Sequence, residues 1–294
     1  MSNRGKIISA VVILVCLIAA AGYGFTYKFL NSISVKGGAE GYPVPEKRVN
    51  VVVMGVANGL ADSIMLCSFD PGDGAVDVLS IPRDTYIARK GYKTSANSKI
   101  NSSYGRGGAD SVVESVGSLT GVDVHYYVKV DYKAVKAIVD AIGGIKVTVP
   151  MDMNYDDPVD GLSIHFKKDQ AVSKGEDIIK LLRYRKNNKG GGYKDGDLGR
   201  VKMQQEIVRL GIEKVLKGNI VTSFLKLQGP IKDYVETNMS PKQMMFYITK
   251  AQKIKRESIS LQTIPGRADT INRLSFYVVN KEKMDELLKP IIEE

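Results

Sequence analysis

Three short apolar runs, Val51–Val56, Ser63–Phe69 and Val76–Ile81, constrain the fold more than any other feature of the chain. Each is of strand length, and the first is an unbroken valine-rich run, the pattern of a strand buried on both faces. The cluster Asp70-Pro71-Gly72-Asp73-Gly74 separates the second run from the third, so these two form a hairpin. The third run then ends in Pro82, Arg83 and Asp84. A strand that enters the core and ends in charge has two readings. One is a surface turn, because Pro stops pairing and charges prefer water. The other is a binding site, because ligands of α/β sheets lie beyond the carboxyl ends of strands.

The remaining sequence alternates strand and helix. Asp110 is placed to cap a helix closed by Gly121, and Tyr126–Val130 reads as a strand. Tyr132–Ile142 reads as a helix stopped by Gly143-Gly144, followed by a strand Ile145–Val149. Ser173 and Glu176 form a capping box for a helix to about Leu182, and Asp197 can cap a long helix to Lys217. Ser240-Pro241 opens another helix. Strands at Ile259–Ile264 and Phe276–Val279 and a helix at Lys281–Ile292 complete the pattern. The expectation is an α/β fold with a mixed central β-sheet and helices on both faces.

The first residues carry a different message. Arg4 and Lys6 precede Ile7–Gly24, a run without charge, and no charge follows until Lys28. About 20 apolar residues span a bilayer as a helix. Basic residues before the span put residues 1–6 in the cytoplasm and the rest outside. The expected order is a cytoplasmic tail at 1–6, a transmembrane anchor at 7–27, a linker at 28–47 and an extracytoplasmic domain at 48–294. A cleaved signal peptide ending near Ala19-Ala20-Ala21 is the rival reading. On either reading the bulk of the chain is exported. The 42 Lys and Arg against 32 Asp and Glu favour anionic partners. For an exported chain these are phosphates on lipids or wall polymers rather than nucleic acid. Cys16 and Cys67 sit in apolar runs and form no disulfide framework.

Nothing in the spacing of His125 and His165 suggests a triad or a zinc site. Cations are more informative. Arg183 and Arg185 share a face if the chain is extended there. Arg200 and Gln204 stack one turn apart on a helix. Arg83 stands at a strand tip, and Lys99 follows in Ser98-Lys99-Ile100-Asn101. Arginine's planar fork suits phosphate. Among the carboxylates, Asp62, Asp84 and Asp197 are near this set, and a carboxylate beside arginines can hold Mg²⁺ together with substrate phosphates.

The strings LSIPRDTY, SKINSSYGRGG, VDAIGGIKVTVP, LLRYRK and GDLGRVKMQQE occur in this order, and TIPG and SFYVVNKEK follow. Together they resemble the LytR-CpsA-Psr family from about Asn50 to Ile292. The resemblance implies a membrane-anchored extracytoplasmic αβα domain that binds polyprenyl pyrophosphate lipids. It implies Mg²⁺-assisted phosphoryl transfer of a glycopolymer, such as a teichoic acid or capsular polysaccharide, from the lipid to peptidoglycan. Matched residue by residue, Arg83, Lys99, Arg183, Arg185, Arg200 and Gln204 fall on the pyrophosphate clamp. Asp62 falls on a metal position, and Asp62, Arg83, Asp84 and Arg200 on positions tied to catalysis; Asp197 matches a supporting carboxylate.

The chain also departs from the family pattern. Ala57 stands where an Asp is usual, Leu60 where an Arg precedes Asp62, and Met203 where an Arg commonly precedes Gln204. Two readings follow: a transferase with a trimmed site, or a non-catalytic protein that binds polyprenyl phosphates and regulates or scaffolds envelope assembly. A nucleic-acid-binding regulator fits poorly with an anchor and outward topology.

Overall fold

The computed structural model describes residues 34–35, 45, 47–89, 95–217, 220–250 and 253–292. The anchor expected at 7–27 lies outside the described residues. Among those described, no helix is long and apolar enough to cross a membrane.

A seven-stranded mixed sheet forms the centre. Its order is β1 (Ser34–Val35), β10 (Glu236–Thr237), β5 (Tyr126–Val130), β2 (Val49–Ala57), β3 (Leu60–Phe69), β4 (Val76–Ile81) and β11 (Ile259–Thr263). The pairs β2–β3 and β3–β4 are antiparallel, while β5 joins β2 and β11 joins β4 in parallel. Asn58 and Gly59, both at positive φ, close the β2–β3 hairpin, the backbone form that matches strand twist. β1 lies within the stretch read as a linker and pairs with β10.

Register assigns the side chains to two faces, because a strand alternates with period two. Val52, Met54, Ile64, Leu66, Leu79 and Ile81 share a core with Val112 and Val116 of α1 (Tyr104–Thr120). The same core takes Met284, Leu288 and Ile291 of the C-terminal helix α7 (Lys281–Ile292). On the opposite face, the Tyr247 ring packs edge-on against Phe69 at 6.5 Å and Tyr126 at 6.1 Å. Tyr247 belongs to α6 (Pro241–Lys250). Helices therefore cover both faces, and the unbroken apolar character of β2 follows from that. Burial of each large aliphatic side chain contributes about 1.5–3 kcal/mol.

A second core lies beside the sheet. It joins α2 (Tyr132–Ala141), the hairpin of β7 (Met153–Asp157) with β8 (Leu162–Phe166), α3 (Gly175–Arg183) and α4 (Asp197–Lys217). Leu162, Ile164 and Phe166 face inward from β8 onto Ile178, Leu181 and Ile207. The short strands β6 (Val147–Thr148) and β9 (Ala171–Val172) frame this unit. The helix α5 (Ile220–Tyr234) and the hairpin of β12 (Gly266–Ile271) with β13 (Leu274–Val279) complete the chain.

Several elements differ from the sequence reading. α1 starts at Tyr104 and is broken by non-helical Gly107 and Gly108, so Asp110 lies inside it rather than at its cap. The strand expected at Ile145–Val149 shrinks to Val147–Thr148. α3 has Lys174 as N-cap with no side-chain cap, in place of the Ser173–Glu176 box. Its first N–H, from Gly175, donates instead to Asp140 Oδ1 at 2.8 Å. α2 supplies that acceptor, a tertiary contact that no local pattern encodes. α5, β7, β8 and β12 were not foreseen.

Candidate functional site

The charged end of β4 is a turn locked from both sides. Thr85 donates through its N–H at 2.9 Å and its hydroxyl at 2.6 Å to the Pro82 carbonyl. Arg83 and Asp84 are thus the central residues of the turn. The following segment buttresses it: Ile100 N–H donates to the Thr85 carbonyl at 2.9 Å, and Asn101 N–H to the Arg83 carbonyl at 3.2 Å. β4, an inner strand, ends at this turn, and the turn projects Arg83.

Asp62 reaches the same place by an irregularity in β3. Gly55 pairs with Ser63 and Val56 with Ala61, so Asp62 is the extra residue of a β-bulge. A bulge re-aims side chains next to sites. Here it brings the Asp62 carboxylate within 2.6 Å of Arg83 Nη1.

These two residues line a cleft of about 410 Å³ with Arg183, Arg185, Lys186 and Arg200. Arg183 ends α3 and Arg200 lies in the first turn of α4, so the second core sets their spacing. Ala57, Asn58, Tyr132, Tyr155, Asp157, Asp160 and Leu162 complete the wall. Arg183 Nη2 donates to Asp160 Oδ2 at 2.7 Å and its guanidinium lies 5.3 Å from the Tyr132 ring centre. Burial pushes the Tyr132 phenol above its ordinary range and Asp62 adds to this, while Arg200, Arg183 and Arg83 oppose it. Asp157 is held by its own hairpin: it accepts from Val159 N–H at 3.0 Å and from the Tyr155 hydroxyl at 3.2 Å. Cations therefore outnumber carboxylates in the cleft. Such an array suits an anion with several oxygens, because fixed guanidiniums need not reorganise to bind it.

The sequence-derived candidates divide in two. Asp62, Arg83, Arg183, Arg185 and Arg200 share the cleft. Lys99 instead pairs with Asp84 at 2.8 Å and lies over the Phe276 ring; neither of this pair is among the lining residues. Gln204 is 7 % exposed and buried one turn beyond Arg200. Its neighbour Gln205 ties α4 to the sheet, donating to Ser80 at 3.1 Å and Thr263 at 2.9 Å. Tyr132, Tyr155, Asp160 and Lys186 were missed. Tyr155 and Asp160 depend on the β7–β8 hairpin, whose signal is the alternation Leu162, Ile164, Phe166.

Among the described residues, no group of three or more His, Cys, Asp or Glu could hold a metal ion unaided. Asp62 stands among the arginines as a hard oxygen donor, and one carboxylate plus substrate phosphates is an arrangement that Mg²⁺ accepts. Asp62 therefore fits a metal completed by the ligand. Ala57, on the same wall, adds no second carboxylate. Met203 points into the second core with Ile207 and Tyr184, away from any charge role.

Polyisoprenyl-teichoic acid–peptidoglycan teichoic acid transferase TagV of Bacillus subtilis is 31% identical over 202 residues, 66% of this chain and 50% of that protein. The chain thus spans about half the length of that relative. TagU of the same organism, which carries the same transferase name, is 29% identical over 249 residues, covering 83% of this chain and 77% of TagU. The crystal structure of B. subtilis TagV superposes with a TM-score of 0.68 at 27% identity, over 85% of this chain and 98% of that one. The LytR_cpsA_psr family profile matches residues 32–292. The chain belongs to the LytR-CpsA-Psr family.

Proposed function

We propose that this protein transfers a glycopolymer from a polyprenyl pyrophosphate carrier to peptidoglycan, with Arg83, Arg183, Arg185 and Arg200 clamping the diphosphate. The observation that carries this reading is the convergence of those arginines, from β4, α3 and α4, on one cleft with Asp62. The transferase names of TagU and TagV support the substrate class. In the reaction, the acceptor hydroxyl oxygen bonds to the glycan-side phosphorus and the phosphoanhydride bond breaks. Polyprenyl phosphate leaves with the electron pair, and the hydroxyl proton passes to that phosphate or to solvent.

The chain's own residues do three things. Arg83, fixed by the Pro82–Thr85 turn and oriented by Asp62, donates to the diphosphate. Arg183 and Arg200 offset charge as the lipid phosphate departs; donors of this kind typically contribute about 10²–10³ in rate. The Asp84–Lys99 pair holds the turn in place rather than touching the anion. Asp62 is the residue that would hold Mg²⁺ with the donor phosphates, and the ion would supply further charge neutralisation. Residues 7–27 anchor the domain on the outer side of the membrane, beside its lipid substrate.

The test is to incubate the full chain in detergent with Mg²⁺, a lipid-pyrophosphate-linked glycan and peptidoglycan. The expected result is release of polyprenyl phosphate and glycan on the wall polymer. Tight donor binding with no release at any metal concentration would instead establish the non-catalytic scaffold.

A further inference from the structure

A second cleft, of about 760 Å³, lies against the other side of the same walls. Leu198, Val201, Ile264, Pro265 and Tyr277 form its apolar part. Lys202, Arg267 and Lys283 stand on its rim with the single acid Asp195. Two segments separate it from the cation cleft. On α4, Arg200 lines the first cleft and Val201 the second. At the β4 turn, Arg83 lines the first, and the next carbonyl, Asp84, accepts the Tyr277 N–H at 2.9 Å. The two clefts therefore share α4 and adjoin across the turn after β4.

The charge pattern distinguishes the two clefts. The first gathers four guanidiniums in one cleft, a pattern that suits a compact diphosphate. On the rim of the second, the cations are single and dispersed. Lys202 pairs with Asp195, and Arg267 is 81% exposed with Asp269 at 3.4 Å. Spaced single cations around a half-apolar floor suit a chain molecule with spaced carboxylates and the apolar faces of sugar rings. The volume lies within the ordinary range of ligand clefts.

We propose that this second cleft is the acceptor subsite, and that it takes a carboxylate-bearing glycan–peptide. The proposal rests on the transferase reading above. Placement of an acceptor hydroxyl beside the diphosphate converts an encounter into a positioned reaction. Lys283 and Arg267 contribute to acceptor affinity and not to donor affinity.

The experiment uses the full chain in detergent and a soluble disaccharide–tetrapeptide as probe. Binding is followed by calorimetry, and lipid phosphate release is measured in parallel. The variant R267E/K283E changes exposed side chains only, and R267Q/K283Q serves as the neutral intermediate. Expected is a roughly 10-fold loss of probe affinity and a matching rise in acceptor KM, from two rim charges. Donor KM and kcat stay within about twofold, and the neutral variant falls between. Absence of probe binding to the unaltered chain, or unchanged probe affinity in R267E/K283E, overturns the subsite. Probe binding that the charge reversal abolishes, in a chain that releases no lipid phosphate, would support the subsite while removing the transferase reading.

Discussion

Arg83 Nη1 meets Asp62 Oδ1 at 2.6 Å, and this contact joins the turn after β4 to the bulge in β3. Both side chains are only about one-fifth exposed, at 19% and 22%. Their pairing fixes the Arg83 fork toward the cleft. Arg83→Ala should abolish binding of inorganic pyrophosphate and lower kcat by about 10²–10³. Asp62→Asn should keep the fold, leave pyrophosphate binding measurable and weaken the response to Mg²⁺. Titration of pyrophosphate with and without Mg²⁺ checks both; unchanged affinity in Arg83→Ala would remove that arginine from the site.

Ala57 shares the cleft wall with Asp62. A carboxylate there would give Mg²⁺ a second protein oxygen. Ala57→Asp should lower the Mg²⁺ concentration for half-maximal turnover by about tenfold, equivalent to roughly 1.4 kcal/mol. A flat response would show that the arginines alone neutralise the diphosphate.

Met203 makes a contrasting case. It is 7% exposed in the second core, beside Ile207 and Tyr184. An arginine introduced there would enter an apolar cluster. Met203→Arg should destabilise the domain by about 3 kcal/mol, read as a drop in the urea midpoint. Faster turnover at unchanged stability would contradict this placement.

Asp140 accepts the Gly175 N–H at 2.8 Å and pairs with Lys136 at 2.9 Å. Burial raises its pKa, but the Gly175 N–H and then Lys136 outweigh burial, so the folded value lies below 3.8. A carboxyl depressed in the folded state stabilises above its unfolded pKa, and that contribution disappears as pH falls through the folded pKa. Asp140→Ala should cost about 1 kcal/mol at neutral pH, the size of a lost helix cap. The gap to the unaltered protein should narrow below pH 3.8. Gly175→Ala should be worse, because a Cβ there collides with the Lys136 carbonyl. Chemical denaturation across pH measures both effects.

The chain's local chemistry determined much of this protein on its own. The apolar runs dictated β2, β3 and β4, and Val76–Ile81 is reproduced residue for residue. The glycine stop at Gly121, the pair Gly143-Gly144 and Pro241 placed helix ends, because those effects act within a turn or two of backbone. The motifs singled out Arg83, Arg183, Arg185, Arg200 and Asp62, which share the cleft, but also Lys99, Asp84 and Gln204, which do not line it. Only the tertiary structure decided that division. Whether a cation faces an anion site or a neighbouring carboxylate depends on which segments meet. The bulge at Asp62 requires β2 as its reference strand. The acceptor for Gly175 comes from another helix. The Asp160 partner of Arg183 comes from a hairpin far away in sequence. A one-dimensional pattern carries propensity and periodicity; pairing between distant segments exists only once the chain has folded.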